Sequence, residues 1–199
     1  MSDPQRLSVE IPKTMRTLER DKRGYPIPFI VFRDKTGVPQ FTINDTNAVS
    51  TCVQKRICAI CGKKLTHQQY WLVGGSRCFM HEHGAFLDPP LHQECAEYAL
   101  QVCPFLAAPS YAKRIDDKKL KPENRPDGMI LVKHGNMLPD QPERFGLGMT
   151  SSMEIISERA GYLFIPKKWE YVEFWKSGKP CNSPDEMPSD QPISLGVIL

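Results

Sequence analysis

Two pairs of metal-binding residue types stand at the same short spacing in this sequence: Cys58 and Cys61 in Cys-Ala-Ile-Cys-Gly, and His92 and Cys95 in His-Gln-Glu-Cys. A tetrahedral zinc ion takes sulfur at about 2.3 Å and imidazole nitrogen at about 2.0 Å, so its ligand atoms sit within roughly 4 Å of one another. Two cysteines separated by two residues satisfy this when the chain turns sharply between them, and Gly62 supplies the backbone freedom such a turn needs. Residues three apart on a helix share a face, so His92 and Cys95 can both address one ion. The positive end of the helix dipole there favours thiolates. The spacing therefore predicts a structural Zn(2+) held by Cys58, Cys61, His92 and Cys95. Four protein ligands leave no open position for substrate or water.

The remaining cysteines give two other arrangements. Cys78 and His81 also have ligand spacing, with His83 close by, so Cys58, Cys61, Cys78 and His81 would form a ribbon-like site. That set leaves His92 and Cys95 without a role at a helix start. A site of two ions needs every candidate, including Cys52. Cys103 follows Cys95 by eight residues, about 12 Å along a helix, too far to share the ion. It reads as a small buried apolar residue, and Cys181 as an unpaired thiol near the C-terminal end.

Seven cysteines are an odd number for a disulfide framework. Residues 1–24 are polar and charged, unlike a secretory leader, and no apolar run has the length to cross a bilayer. The expected compartment is the cytoplasm. A net charge of +3 is too small to imply nucleic-acid binding by itself.

Eighteen prolines in 199 residues predict many turns and few long helices. Residues 1–23 read as a flexible arm with a helical turn near Met15 and Leu18. Residues 27–32 and 40–43 read as a hairpin, followed by a helix through Lys55 that Asn44 or Asp45 would cap. After the cysteine turn, residues 69–73 and 77–80 flank Gly74-Gly75 as a second hairpin. Asp88 is the expected N-cap of a helix with Pro89 in its first turn and Leu91, Cys95, Tyr98, Ala99 and Val102 as its apolar stripe, stopped by Pro104. Residues 129–132, 162–165 and 169–175 read as strands, the last two pairing across Pro166-Lys167-Lys168. Residues 177–199 read as a flexible Pro-rich tail. The fold class is α+β: one domain over 24–176, with flanking antiparallel strands. Its zinc module at about 57–106 has the knuckle, hairpin and helix of a treble clef.

Cys58-Ala59-Ile60-Cys61-Gly62, Val73-Gly74-Gly75, the run Asp88-Pro89-Pro90-Leu91-His92-Gln93-Glu94-Cys95-Ala96-Glu97-Tyr98-Ala99 and Cys103-Pro104-Phe105-Leu106-Ala107 carry a resemblance. The stretch 57–111 resembles a poorly characterised family found in phages, prophages and actinobacterial genomes, and the strand from Trp169 to Trp175 is similar too. The resemblance implies the same four ligands and, for a phage-encoded chain, the host cytoplasm. It implies no activity.

Three functions are compatible with these residues. A zinc-stabilised binding protein would present loops and strand edges to another macromolecule, a host protein or defence component, with Trp169, Tyr171 and Trp175 along one strand face. An HNH-like nuclease would need a general-base histidine and a second divalent metal, for which His81, His83 and Asp88 are the local candidates. Nucleic-acid binding would use Lys55-Arg56, Lys63-Lys64 and Lys113-Arg114. No glycine-rich phosphate loop, Gly-x-Ser-x-Gly elbow or His-Glu-x-x-His motif occurs, so no catalytic residue is assigned.

Overall fold

In the computed structural model, the described residues are 8–66, 68–81, 84–107, 142–158 and 161–184. The expected strand at 129–132 lies outside them, as do His83 and Lys113-Arg114. A short hairpin pairs β1 (Val31–Arg33) with β2 (Pro39–Asn44). Asp45 then caps α1 (Thr46–Lys55), its carboxylate accepting the N–H groups of Asn47 and Ala48. These are the N-terminal amides that a helix cannot satisfy internally.

The central sheet is antiparallel, with strand order β3-β4-β7-β8. It comprises β3 (Tyr70–Gly75), β4 (Phe145–Thr150), β7 (Tyr171–Lys176) and β8 (Lys179–Cys181). Side chains alternate across it, as the pleat requires. Trp71, Val73, Phe145, Leu147 and Trp175 face a core that also contains Met15, Val49, Cys52, Tyr98 and Leu100. Leu72, Val172 and Phe174 face a second core built on Phe79, Phe86 and Phe164. The sheet thus separates two apolar layers.

Several local expectations yield to long-range pairing. Residues 77–80 form a helical turn, α2 (Arg77–Met80), not the return strand of a hairpin. β3 instead pairs with β4, from Tyr70 opposite Thr150 to Gly75 opposite Phe145. The reason is packing: a Cβ at Gly146 or Gly148 would stand 2.3 or 2.5 Å from the Phe79 ring. That glycine-floored stretch of β4 therefore accepts α2's aromatic side chain directly. Similarly, the strands around 162–165 and 169–175 do not pair with each other. β6 (Gly161–Pro166) pairs with β5 (Met153–Glu158), whereas β7 lies between β4 and β8. The aromatic trio is split as well. Tyr171 meets Trp71 at a centroid distance of 5.6 Å, while Trp169 stacks on Phe79 at 4.7 Å in the other layer.

α3 (Gln93–Val102) begins at His92, four residues later than Asp88 would have placed it, and α4 (Pro104–Ala107) follows Cys103 at once. Residues 89–91 are extended because they are paired elsewhere: Leu91 and Trp71 exchange N–H···O bonds of 2.8 and 3.3 Å, and the Pro90 carbonyl accepts the Ala59 N–H. Asp88 instead accepts a 2.6 Å hydrogen bond from the Asn44 side chain. Near the N-terminus, Lys13–Met15 form a 3-10 turn, and Met15, 2% exposed, enters the first core. Among the described residues no helix is long and apolar enough to cross a membrane.

Candidate metal centre

The knuckle closes through local backbone bonds. The Cys58 N–H donates to the Lys63 carbonyl at 2.8 Å, the Gly62 N–H donates to the Cys58 carbonyl at 2.9 Å, and Ile57 bridges to Lys64. Gly62 adopts φ +68°, and a Cβ there would approach the Phe29 ring to 3.0 Å. Glycine is therefore required twice, for the left-handed backbone and for the close approach. Two neighbouring segments brace the turn. The N–H groups of Phe29 and Ile30 bond to the carbonyls of Ile60 and Ala59, and the Pro90 carbonyl takes the Ala59 N–H. The last contact delivers the start of α3 to the knuckle.

The structure brings together Cys58, Cys61, His92 and Cys95. Their ligand atoms all lie within 4.8 Å of one another, and this cluster could hold a metal ion. Cys58, Cys61 and Cys95 are buried and His92 is partly so. His92 Nδ1 stands 3.3 Å from the Cys61 sulfur, while Nε2 lies 3.0 Å from the Lys64 carbonyl. With Nε2–H donating to that carbonyl, Nδ1 is the nitrogen turned towards the sulfurs. The bond at the far side of the ring fixes the orientation a ligand needs, with Nδ1 available to a metal once its proton leaves. The backbone N–H of His92 also points at the Cys58 sulfur, 3.5 Å away.

Sulfur crowding sets the protonation of the metal-free cluster. Hydrogen bonds from Cys61 and then Cys95 hold the Cys58 thiol far below its ordinary value, making it the thiolate of the group. Cys95 is driven the opposite way because its proton is shared with Cys58 and Cys61. The Cys58 and Cys61 sulfurs raise His92 from 6.5 to about 10, so a proton occupies the place a cation would take. Burial, followed by the charges of Cys58 and Cys61, pushes Cys52 up to about 12. Cys52 stays a neutral thiol in the metal-free protein, and its sulfur does not belong to the group of four clustered ligand atoms.

The other candidates are not drawn in. Among the described residues the four-member cluster is the group that metal-ligand geometry picks out, and it contains neither Cys78 nor His81. Those two line a cleft with Trp169, Lys167 and Lys168 beside the second core. Cys103 caps the C-terminal end of α3, and Cys181 lies on β8. Two outer contacts had no local signal in the sequence. Thr14 places its hydroxyl 3.5 Å from the Cys95 sulfur and also bonds to the Glu94 carboxylate. The Lys64 carbonyl, which orients His92, belongs to a residue whose side chain suggested only surface charge. Comparison of the chain with protein-family models, with curated proteins and with solved structures finds no match.

Proposed function

We propose that the cluster holds one structural zinc ion, and that the protein is of phage or prophage type and acts by binding another macromolecule, a host protein or defence component. One observation carries the zinc reading: three sulfurs and one correctly oriented imidazole nitrogen, from stretches more than thirty residues apart, meet within 4.8 Å. Tetrahedral zinc separates such ligand atoms by roughly 3.5–3.8 Å. A small contraction of the cluster around the ion meets that requirement. Thiolate and imidazole donors suit zinc, whereas calcium and magnesium take oxygen.

Four protein ligands close the coordination sphere, which supports a structural ion. Such an ion can contribute on the order of 10 kcal/mol to folding. Here it would join the knuckle, the residues leading from β3 and the start of α3. The knuckle-then-helix order is treble-clef-like, with β4 standing where the return strand of the usual hairpin would lie.

The binding reading rests on surfaces fixed by that frame. Phe29, Val38 and Phe41 are 38, 51 and 43% exposed on the segment that braces the knuckle and on the β1–β2 hairpin. Apolar side chains presented on a rigid frame are the means by which a binding module recognises a partner. The resemblance to phage and prophage proteins supports the setting, a host cytoplasm.

The test has two arms. Elemental analysis of the purified chain should give zinc, and cobalt substitution should give the intense visible bands of a tetrahedral thiolate site. A tagged chain should then capture a defined partner from host lysate, and Cys95→Ser should abolish that capture together with the metal. Protein that captures nothing reproducible, or whose incubation with Mg²⁺ or Mn²⁺ cleaves DNA in a manner lost with His81→Ala, would reject the binding reading.

A further inference from the structure

The ribbon of β5 and β6 has one closed edge and one open edge. On the closed side, Phe86 and Phe164 exchange backbone hydrogen bonds of 3.0 and 2.9 Å, so β6 is covered. Among the described residues, β5 pairs with β6 alone. The ribbon is nonetheless firmly seated. Phe164 is fully buried, Tyr162 meets Ser50 of α1 at 3.2 Å, and the Ser152 carbonyl accepts the Lys167 N–H. A two-stranded ribbon is marginal unless it is anchored in this way.

β5 differs from an ordinary solvent strand in having an exposed isoleucine on both faces. Ile155 and Ile156 are 42 and 37% exposed, and consecutive residues point to opposite sides. The strand carries no proline, lysine or register shift, devices that commonly protect open edges. Its charges are Glu154 and Glu158, four residues apart on the face of Ile156. Both are exposed, and neither forms an ion pair among the described residues.

Charge decides what fits there. A second copy of the chain would bring two more glutamates to the same short ribbon, and like charges across strands repel. An extended segment with two basic residues four apart, and an apolar residue midway between them, would place its cations against Glu154 and Glu158 and its apolar side chain against Ile156. We propose that the open edge of β5 takes such a basic, extended peptide segment of a partner protein as an added strand. Backbone hydrogen bonds would supply affinity and the glutamate pair would select the charge. This inference rests on the reading of the protein as a binding module, but it does not depend on the metal.

A fluorescein-labelled peptide, Ac-Ser-Lys-Val-Val-Val-Lys-Ser, tests it against the full chain by fluorescence anisotropy. A charge-reversed control carries glutamate in place of both lysines, and a second control is N-methylated at alternate amides. The basic peptide should bind at least tenfold more tightly than either control. It should also weaken about tenfold against the E154K/E158K double variant, whose exposed substitutions should leave metal content and melting temperature unchanged. Equal binding of basic and acidic peptides, undiminished binding of the N-methylated one, or sedimentation showing a dimer that Ile155→Lys dissociates would overturn the proposal. Partner capture that is unaffected by E154K/E158K would also overturn it, while leaving the binding reading intact.

Discussion

The hydroxyl of Thr14 lies 3.5 Å from the sulfur of Cys95, although 81 positions separate them along the chain. The contact ties the N-terminal turn to the metal cluster, and the burial of Met15 holds it in place. The hydroxyl hydrogen goes to the Glu94 carboxylate, which holds the oxygen against the sulfur, and an outer contact of this kind fixes a ligand's orientation. Thr14→Val keeps the shape and removes the hydroxyl. It should weaken zinc affinity by about tenfold, the lower end of the range for outer contacts to metal ligands. Competition with a chromogenic chelator measures this, and unchanged affinity would make the contact incidental.

Ligand and non-ligand cysteines should separate cleanly. Cys61→Ser or Cys95→Ser should release the metal and forfeit much of the on the order of 10 kcal/mol that such a site can contribute. Cys103→Ser, at the end of α3, should keep the metal and cost about 1 kcal/mol, the ordinary size of a packing change. Metal stoichiometry and urea unfolding on the three variants check both statements.

The glycine floor of β4 gives a stability prediction independent of the metal. A Cβ at position 148 would meet both the Phe79 and Trp169 rings at 2.5 Å. Gly148→Ala should therefore destabilise the chain by about 1–3 kcal/mol, the usual cost of overpacking. Zinc content should be unaffected, because the second core lies across the sheet from the cluster. Thermal melting with parallel metal analysis distinguishes this from damage to the site.

These particulars mark what local sequence conveys and what it cannot. Ligand spacing is local, so the knuckle and the pair His92 and Cys95 could be read directly, as could α1 with its Asp45 cap. The start of α3 lies at His92 and not at Asp88 because the local signal of Asp88 and Pro89 loses to the exchange of hydrogen bonds between Leu91 and Trp71. β4 gave no strand signal at all, since two of its six residues are glycines. Their purpose appears only when Phe79 is packed against them. The pairing of β3 with β4 joins residues 70 to 80 positions apart, and neither segment alone specifies its partner. Thr14 was invisible for the same reason.

Acidity should act differently on the metal-free and metal-loaded proteins. Without metal, His92 has its value raised from 6.5 to about 10, chiefly by the Cys58 and Cys61 sulfurs. A raised value stabilises the fold below the unfolded value, and the contribution disappears as pH rises through about 10. With metal, the ring must be neutral at Nδ1 and the thiols ionised, so binding releases protons and tightens as pH rises. Between about pH 7 and 9 the proton gained by His92 is matched by the one Cys58 has lost, so melting temperature with chelator should be nearly flat there and fall only towards pH 10, while with zinc it should rise from pH 5 to 7. Parallel curves would contradict the protonation scheme.

Elemental analysis of chain purified without added metal or chelator bears most directly on the site itself. The arrangement of Cys58, Cys61, His92 and Cys95 predicts one zinc per chain, lost when Cys58 and Cys95 are both changed to serine. Protein that folds fully with no bound metal, or a double variant that retains its zinc, would contradict it.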